Sequence, residues 1–212
     1  VTQGSAAAAA YAHDQLSGEI HASAKSLIPE DSRFLLNAVN TRLPTLHQTA
    51  PQPDLSGQSI IVPVWGQPFG RCGPSAPDHN AAKMSRNLGG FFIGVDAEMG
   101  TASRVGLIGG YSKTDFKVSK RNSSGSSDNY HIGVYGDSQL DNGIVVRGGL
   151  NYTWHDVEVD RSVIFPGHYD KVSADYDAHT AQVFAEAGYP IRFAMQEGSL
   201  TLEPFVNLAH VN

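Results

Sequence analysis

The chain has 212 residues, 41% hydrophobic and 17% charged, with a formal net charge of −6 and a single cysteine. With no basic run longer than Lys120-Arg121, nucleic-acid binding is excluded, and Cys72 alone excludes an internal disulfide. No apolar run reaches the roughly 18–20 residues of a membrane helix, yet the charge content is well under the roughly 25% of an ordinary soluble protein.

The opening VTQGSAAAAAYAHDQ has no initiator Met and none of the basic and apolar regions of a signal peptide. It reads as the start of a mature or excised piece of something longer. Leu16, Ile20, Ala24 and Leu27 then fall on one helical stripe, which Pro29 ends. A second stripe follows an Asp31 or Ser32 cap and comprises Phe34, Leu35, Ala38, Val39 and Leu43. Residues 1–43 therefore read as a helical linker region. Residues 44–59, PTLHQTAPQPDLSGQS, read as a Pro-rich connection to a β domain over 60–212.

Beyond residue 60 the hydropathy period becomes two. Phe91, Ile93, Val95 and Ala97 alternate with Phe92, Gly94, Asp96 and Glu98, and similar runs follow to the end. This predicts seven strands, at about 60–70, 88–98, 103–117, 128–140, 143–159, 173–193 and 199–212. Several exceed the usual five or six residues and reach the roughly 9–11 that cross a bilayer when tilted. The connections alternate: 71–87, 118–127 and 160–172 are long, whereas 99–102, 141–142 and 194–198 are short. Long loops on one side and tight turns on the other are the layout of an outer-membrane barrel. One face of the strands is apolar; the other carries Asp96, Arg104, Arg147, Glu186 and Glu203. Such charges fit a wet lumen, and equally the solvated surface of a soluble barrel. Tyr111, Tyr152, Trp154, Tyr189 and Phe69, near strand ends, favour the membrane, where they would form an interfacial girdle.

One stretch raises an enzymatic alternative. YGDSQLDNG at 135–143 looks like the GDS block in which a family of esterases carries its nucleophile, here Ser138. A serine hydrolase also needs a base, an orienting acid and oxyanion donors. The nearest acid–histidine pair, Asp175 and His179, has the wrong spacing, and no helix follows Ser138. Asn142-Gly143 instead predicts a two-residue type I′ hairpin turn, placing Ser138 in a strand just before it. The nine histidines show no HxxxH or HExxH spacing, so no metal ligand set is assigned. The glycines of GGFFIGVD form no dinucleotide fingerprint, and no cofactor is expected.

From about residue 11 onward the chain resembles the C-terminal translocator domain of bacterial autotransporters, the type V secretion proteins. The resemblance is carried by LSGEIHAS (16–23), VWGQPFG (64–70), NLGGFFIGVDAEMG (87–100), VGLIGGYSKTDF (105–116), HIGVYGDSQLDNG (131–143), GLNYTWHDVEVDR (149–161), YDAHTAQVFAEAGYPI (176–191) and LEPFVNLAHV (202–211), in that order. It implies an all-β, antiparallel up-and-down transmembrane barrel of twelve strands, about seven of them present here, preceded by a helix that threads the lumen. It implies an outer-membrane translocator that anchors and exports an N-terminal passenger. The implied partners are that passenger, the barrel assembly machinery and membrane lipid. Asp96, Arg104, Arg147, Glu186 and Glu203 would then face the lumen. Seven strands leave two open edges, so this piece is expected to aggregate or be degraded when expressed alone. No Asn-Asn pair is present, so the passenger cleavage known in some members is not carried over. A free-standing porin-like or adhesin-like barrel and an outer-membrane esterase remain the alternatives.

Overall fold

A computed structural model describes residues 32–43, 62–74, 84–100, 102–118, 123–165, 168–195 and 198–212. The first helical stripe and the whole Pro-rich connection lie outside them. Residues 32–43 form one helix, α1. Nine strands follow: β1 (Val64–Pro74), β2 (Met84–Met99), β3 (Ser103–Val118), β4 (Ser123–Gln139), β5 (Val145–Phe165), β6 (His168–Gly188), β7 (Ile191–Met195), β8 (Gly198–Leu202) and β9 (Phe205–Val211). Seven of them pair antiparallel in the order β1-β2-β3-β4-β5-β6-β9, and β7 pairs with β8.

The seven expected strand runs are recognisable, with three differences. The runs 173–193 and 199–212 each appear in two pieces. Tyr189-Pro190 separates β6 from β7, and Glu203-Pro204 separates β8 from β9. A proline has no N–H for the ladder; here the two breaks face each other, and the Tyr189 amide donates to the Pro204 carbonyl at 3.0 Å. One long hairpin is thus bent at a matched pair of prolines.

The long connections are also shorter than expected. β5 and β6 stay in register from Val145↔Gly188 out to Phe165↔His168, and β4 begins at Ser123, opposite Val118. The backbone ladder continues where the side chains no longer alternate between apolar and polar, so hydropathy alone misses it. Finally, the turn after β4 is centred one residue earlier than expected. The Gly143 amide donates to the Leu140 carbonyl at 2.9 Å, so Asp141 and Asn142 are the central residues. Gly143 follows with φ at 86°, which is the three-residue hairpin with a glycine bulge rather than type I′.

The two faces differ in kind. Phe91, Ile93, Leu107, Ile132, Val134, Leu150 and Val183 are exposed on the convex face. Phe91, Tyr111, Tyr130, Trp154 and His179 are successive register partners across β2 to β6 and form one aromatic row on it. From Tyr130 to Ser138, at about 3.4 Å per residue, the stretch runs about 27 Å along the strands, which a tilt of about 40° reduces to about 21 Å across the membrane, a little under the roughly 25 Å band of outer-membrane barrels.

On the concave face, aromatic side chains lie over glycines of the neighbouring strand. Trp65 faces Gly94, Phe69 faces Gly90, Phe92 faces Gly110, Tyr135 faces Gly106 and Phe184 faces Gly149. A Cβ at Gly94 would stand 2.5 Å from the Trp65 ring, so the ring fills the space that a side chain would need. This relocates Phe69: its ring stacks on Phe92 at 4.3 Å inside the sheet and is not part of an outer girdle.

Candidate functional site: the concave face and its helix

The sequence stripe of α1 decides how it docks. Leu35, Ala38, Val39 and Leu43 are buried in one cluster with Phe92, Ile108, Tyr135 and Phe184 of β2, β3, β4 and β6. Burying each large aliphatic of this stripe is worth about 1.5–3 kcal/mol. At one end of α1, Phe34 stacks on Phe69 at 5.2 Å. At the other, Arg42 holds Asp96 by two hydrogen bonds, Nε to Oδ2 at 3.1 Å and Nη2 to Oδ1 at 3.2 Å. Two bonds in one plane fix direction as well as distance. Tyr135 donates to the same carboxylate at 3.1 Å and accepts from the Trp65 indole at 2.8 Å. From the same turn of α1, two residues earlier, Asn40 donates to Glu186 on β6 at 3.3 Å.

Glu186 belongs to a row of polar side chains that crosses six strands in strict register. Glu98 faces Arg104, Arg104 faces Asp137, Asp137 faces Arg147, Arg147 faces Glu186 and Glu186 faces Asn207. The signs alternate along it. Arg104 meets Glu98 at 2.8 Å, Arg147 meets Glu186 at 2.9 Å, and Asn207 donates to Glu186 at 3.0 Å. Arg147 and Glu186 are 3% and 7% exposed. Charges so far from water need partners, and here each has one.

The residues singled out from sequence fall as follows. Asp96, Arg147 and Glu186 are buried on the concave face. Arg104 is on the same face, next to Glu98 at the start of the row, and is 14% exposed. Glu203 lies in the proline-marked break rather than in a strand, yet its carboxylate reaches Arg147 at 2.6 Å. Sequence reasoning missed Arg42, Asn40, Tyr135 and Asp137. The missed signal was the face: Asp137 and Tyr135 share the parity of Ile132's opposite face, the one that carries Arg147 across the turn.

Further along the concave face the lining is neutral. His131 bonds Ser112 and Thr153 at 3.1 and 2.9 Å, and His155 bonds Asn129 and Thr180 at 2.7 and 2.9 Å. Each ring is satisfied at both nitrogens, which marks these as wall-building groups. Among the described residues no group of three His, Cys, Asp or Glu side chains could hold a metal. Ser138 points the other way from Asp137. Its Oγ is 2.9 Å from that of Ser103, and among the described residues no histidine is hydrogen-bonded to it.

A concave polar wall with a docked helix and a convex apolar band is the geometry of a translocator barrel. The Autotransporter beta-domain family model matches residues 64–212. The chain belongs to the autotransporter β-domain family. It is an outer-membrane translocator domain. Two relatives from Serratia marcescens, each called "Extracellular serine protease", are 32% and 31% identical over 198 residues. The translocator domain is matched over 93% of its chain but spans 18% of the length of those relatives. Among solved structures, the translocator domain of the autotransporter NalP from Neisseria meningitidis superposes with a TM-score of 0.55 at 12% identity, covering 88% of this chain and 70% of that one. The β domain of the Bordetella autotransporter BrkA gives 0.51 at 21% identity, covering 70% and 57%. At these identities the two structures speak for the fold.

Proposed function

We propose that this domain anchors an N-terminal passenger in the outer membrane and exports it, and that α1 is the stretch of chain linking the two through the lumen. The observation that carries this reading is the docking of α1 on the concave wall through Arg42–Asp96 and Asn40–Glu186. A helix held there by both an apolar stripe and paired polar groups supports a linker that runs through the lumen. Asp96, Arg104, Arg147, Glu186 and Glu203 then line the lumen and set where that helix rests. The convex apolar band meets lipid, and the barrel assembly machinery inserts the domain. Any hydrolytic activity of the whole protein belongs to its passenger; the name of the Serratia relatives makes a protease passenger the first to assay. The test is surface display. The full-length protein should expose its upstream portion to added protease on intact cells, and deleting 64–212 should abolish that exposure. A passenger that still reaches the surface without 64–212 would refute the proposal.

A further inference from the structure

The β7–β8 hairpin leaves the sheet at its short-turn end, which in an outer-membrane barrel is the periplasmic one. The last row shared by the neighbouring strands runs Ser103, Ser138, Val146, Ala187 and Val206. Past that row β7 and β8 pair with each other alone among the described residues. The register nonetheless carries across the proline break, from Gly188↔Phe205 to Ile191↔Leu202. Side-chain alternation carries across with it, so the convex face that holds Val183, Val206 and Leu208 continues as Ile191, Phe193, Met195, Leu200 and Leu202. These last five are 36–60% exposed. The opposite face of the hairpin holds Arg192, Ala194, Ser199 and Thr201. The hairpin is therefore amphipathic, and its apolar side is uncovered.

We propose that this hairpin is a membrane-surface anchor that lies along the periplasmic leaflet, its apolar face turned into the boundary between headgroups and acyl chains. Continuity with the lipid-facing band names the occupant, and length decides the geometry. From the aromatic row to Ala187 the convex face already spans about 21 Å across the membrane at a tilt of about 40°. Running straight on to Met195 would double this to about 42 Å, well past the roughly 25 Å band. Phe193 and Met195 would then stand in periplasmic water. The break offers the alternative, because Pro190 and Pro204 each remove a ladder donor there and the strand pair can turn. Backbone chemistry sets the depth. Each strand of the hairpin has one edge that the other does not pair, which hydrocarbon does not tolerate and the wet headgroup layer does. An amphipathic element lying in the interface meets both demands. Arg192, the one charged residue of the two strands, adds a cation suited to lipid phosphates.

The inference rests on the convex face meeting lipid, not on passenger export, and the experiment separates the anchor from that face. Photoreactive benzoylphenylalanine is placed at Leu150, Phe193 or Thr201 of the full-length protein in outer membranes, and the adducts are identified by mass after irradiation. Leu150 lies in the apolar band and reports whether the convex face meets lipid at all. Phe193 should give phospholipid adducts within about threefold of the Leu150 yield, and Thr201, on the polar face of the hairpin, at least about tenfold fewer. Only protein adducts from Phe193, or none, would overturn the anchor and leave the lipid-facing band standing. Equal lipid yields from Phe193 and Thr201 would overturn the one-sided docking. No lipid adduct from Leu150 would remove lipid from the convex face, and the anchor with it.

Discussion

Arg42 of α1 and Asp96 of β2 meet through two nitrogens and both carboxylate oxygens, and the Asp96 side chain is 1% exposed. The contact joins positions 54 residues apart and sits where the helix ends. Arg42→Ala leaves a buried carboxylate with Tyr135 as its remaining donor, and removing one partner of a buried pair costs about 3–5 kcal/mol. We expect the single variant to unfold at clearly lower urea, and Arg42→Gln combined with Asp96→Asn to recover most of the loss. A double variant as unstable as Arg42→Ala would mean that the pair does not act as a unit.

The glycine–aromatic pairs predict a specific epistasis. Gly94→Ala forces a methyl group into the Trp65 ring, and overpacking of this kind costs about 1–3 kcal/mol. In a Trp65→Ala background the same substitution should be close to neutral. Heat-modifiability on gels, which separates folded from unfolded barrels, reads both. An equal penalty in the two backgrounds would show that the ring is not what excludes the side chain.

The aromatic row predicts a sharp boundary on the convex face. Leu150→Arg, within the apolar band, should cost about 2–4 kcal/mol and slow insertion into liposomes. Asp156→Arg, one row beyond Trp154 on the same surface, should insert at the wild-type rate. Similar rates for the two variants would remove the boundary from where the row places it.

Ser138 predicts an absence of effect. Ser138→Ala loses one hydroxyl contact with Ser103, and an edge-of-band change of this size should stay within about 0.5 kcal/mol. Ester hydrolysis by the full-length protein, if present, should be unchanged; a large drop would revive the serine as a nucleophile.

Much of this architecture is legible in the residues. The period of two gives the strands from Phe91 to Val183, because apolar residues recur at every second position on the outward face, while the inward face mixes polar residues and glycines with a few large ones such as Phe92 and Phe184. The stripe from Leu35 to Leu43 gives α1. Four things are hidden for physical reasons. The ladder from Asp160 to Phe165 has no hydropathy signal, since neither face lies in lipid there. The bend at Pro190 and Pro204 needs both prolines to be seen as neighbours, fourteen positions apart in sequence and opposite in space. The grip of Arg42 on Asp96 depends on how α1 rotates in the concave face, which the helical stripe orients but does not match to a particular strand. The inward position of Phe69 was hidden likewise, because its ring is held by Gly90 of another strand.

The charged row works as a vernier. A slip of one residue in any hairpin would turn every side chain to the wrong face and be rejected at once. A slip of two would keep lipid and lumen correctly sorted and so escape that test. It would, however, set Arg147 against Phe184 or Gly188 in place of Glu186, and Asp137 against Val145 or Gly149 in place of Arg147. Coarse sorting by hydropathy and fine reading by charge thus together leave the β4–β5–β6 wall one alignment in which both scales coincide.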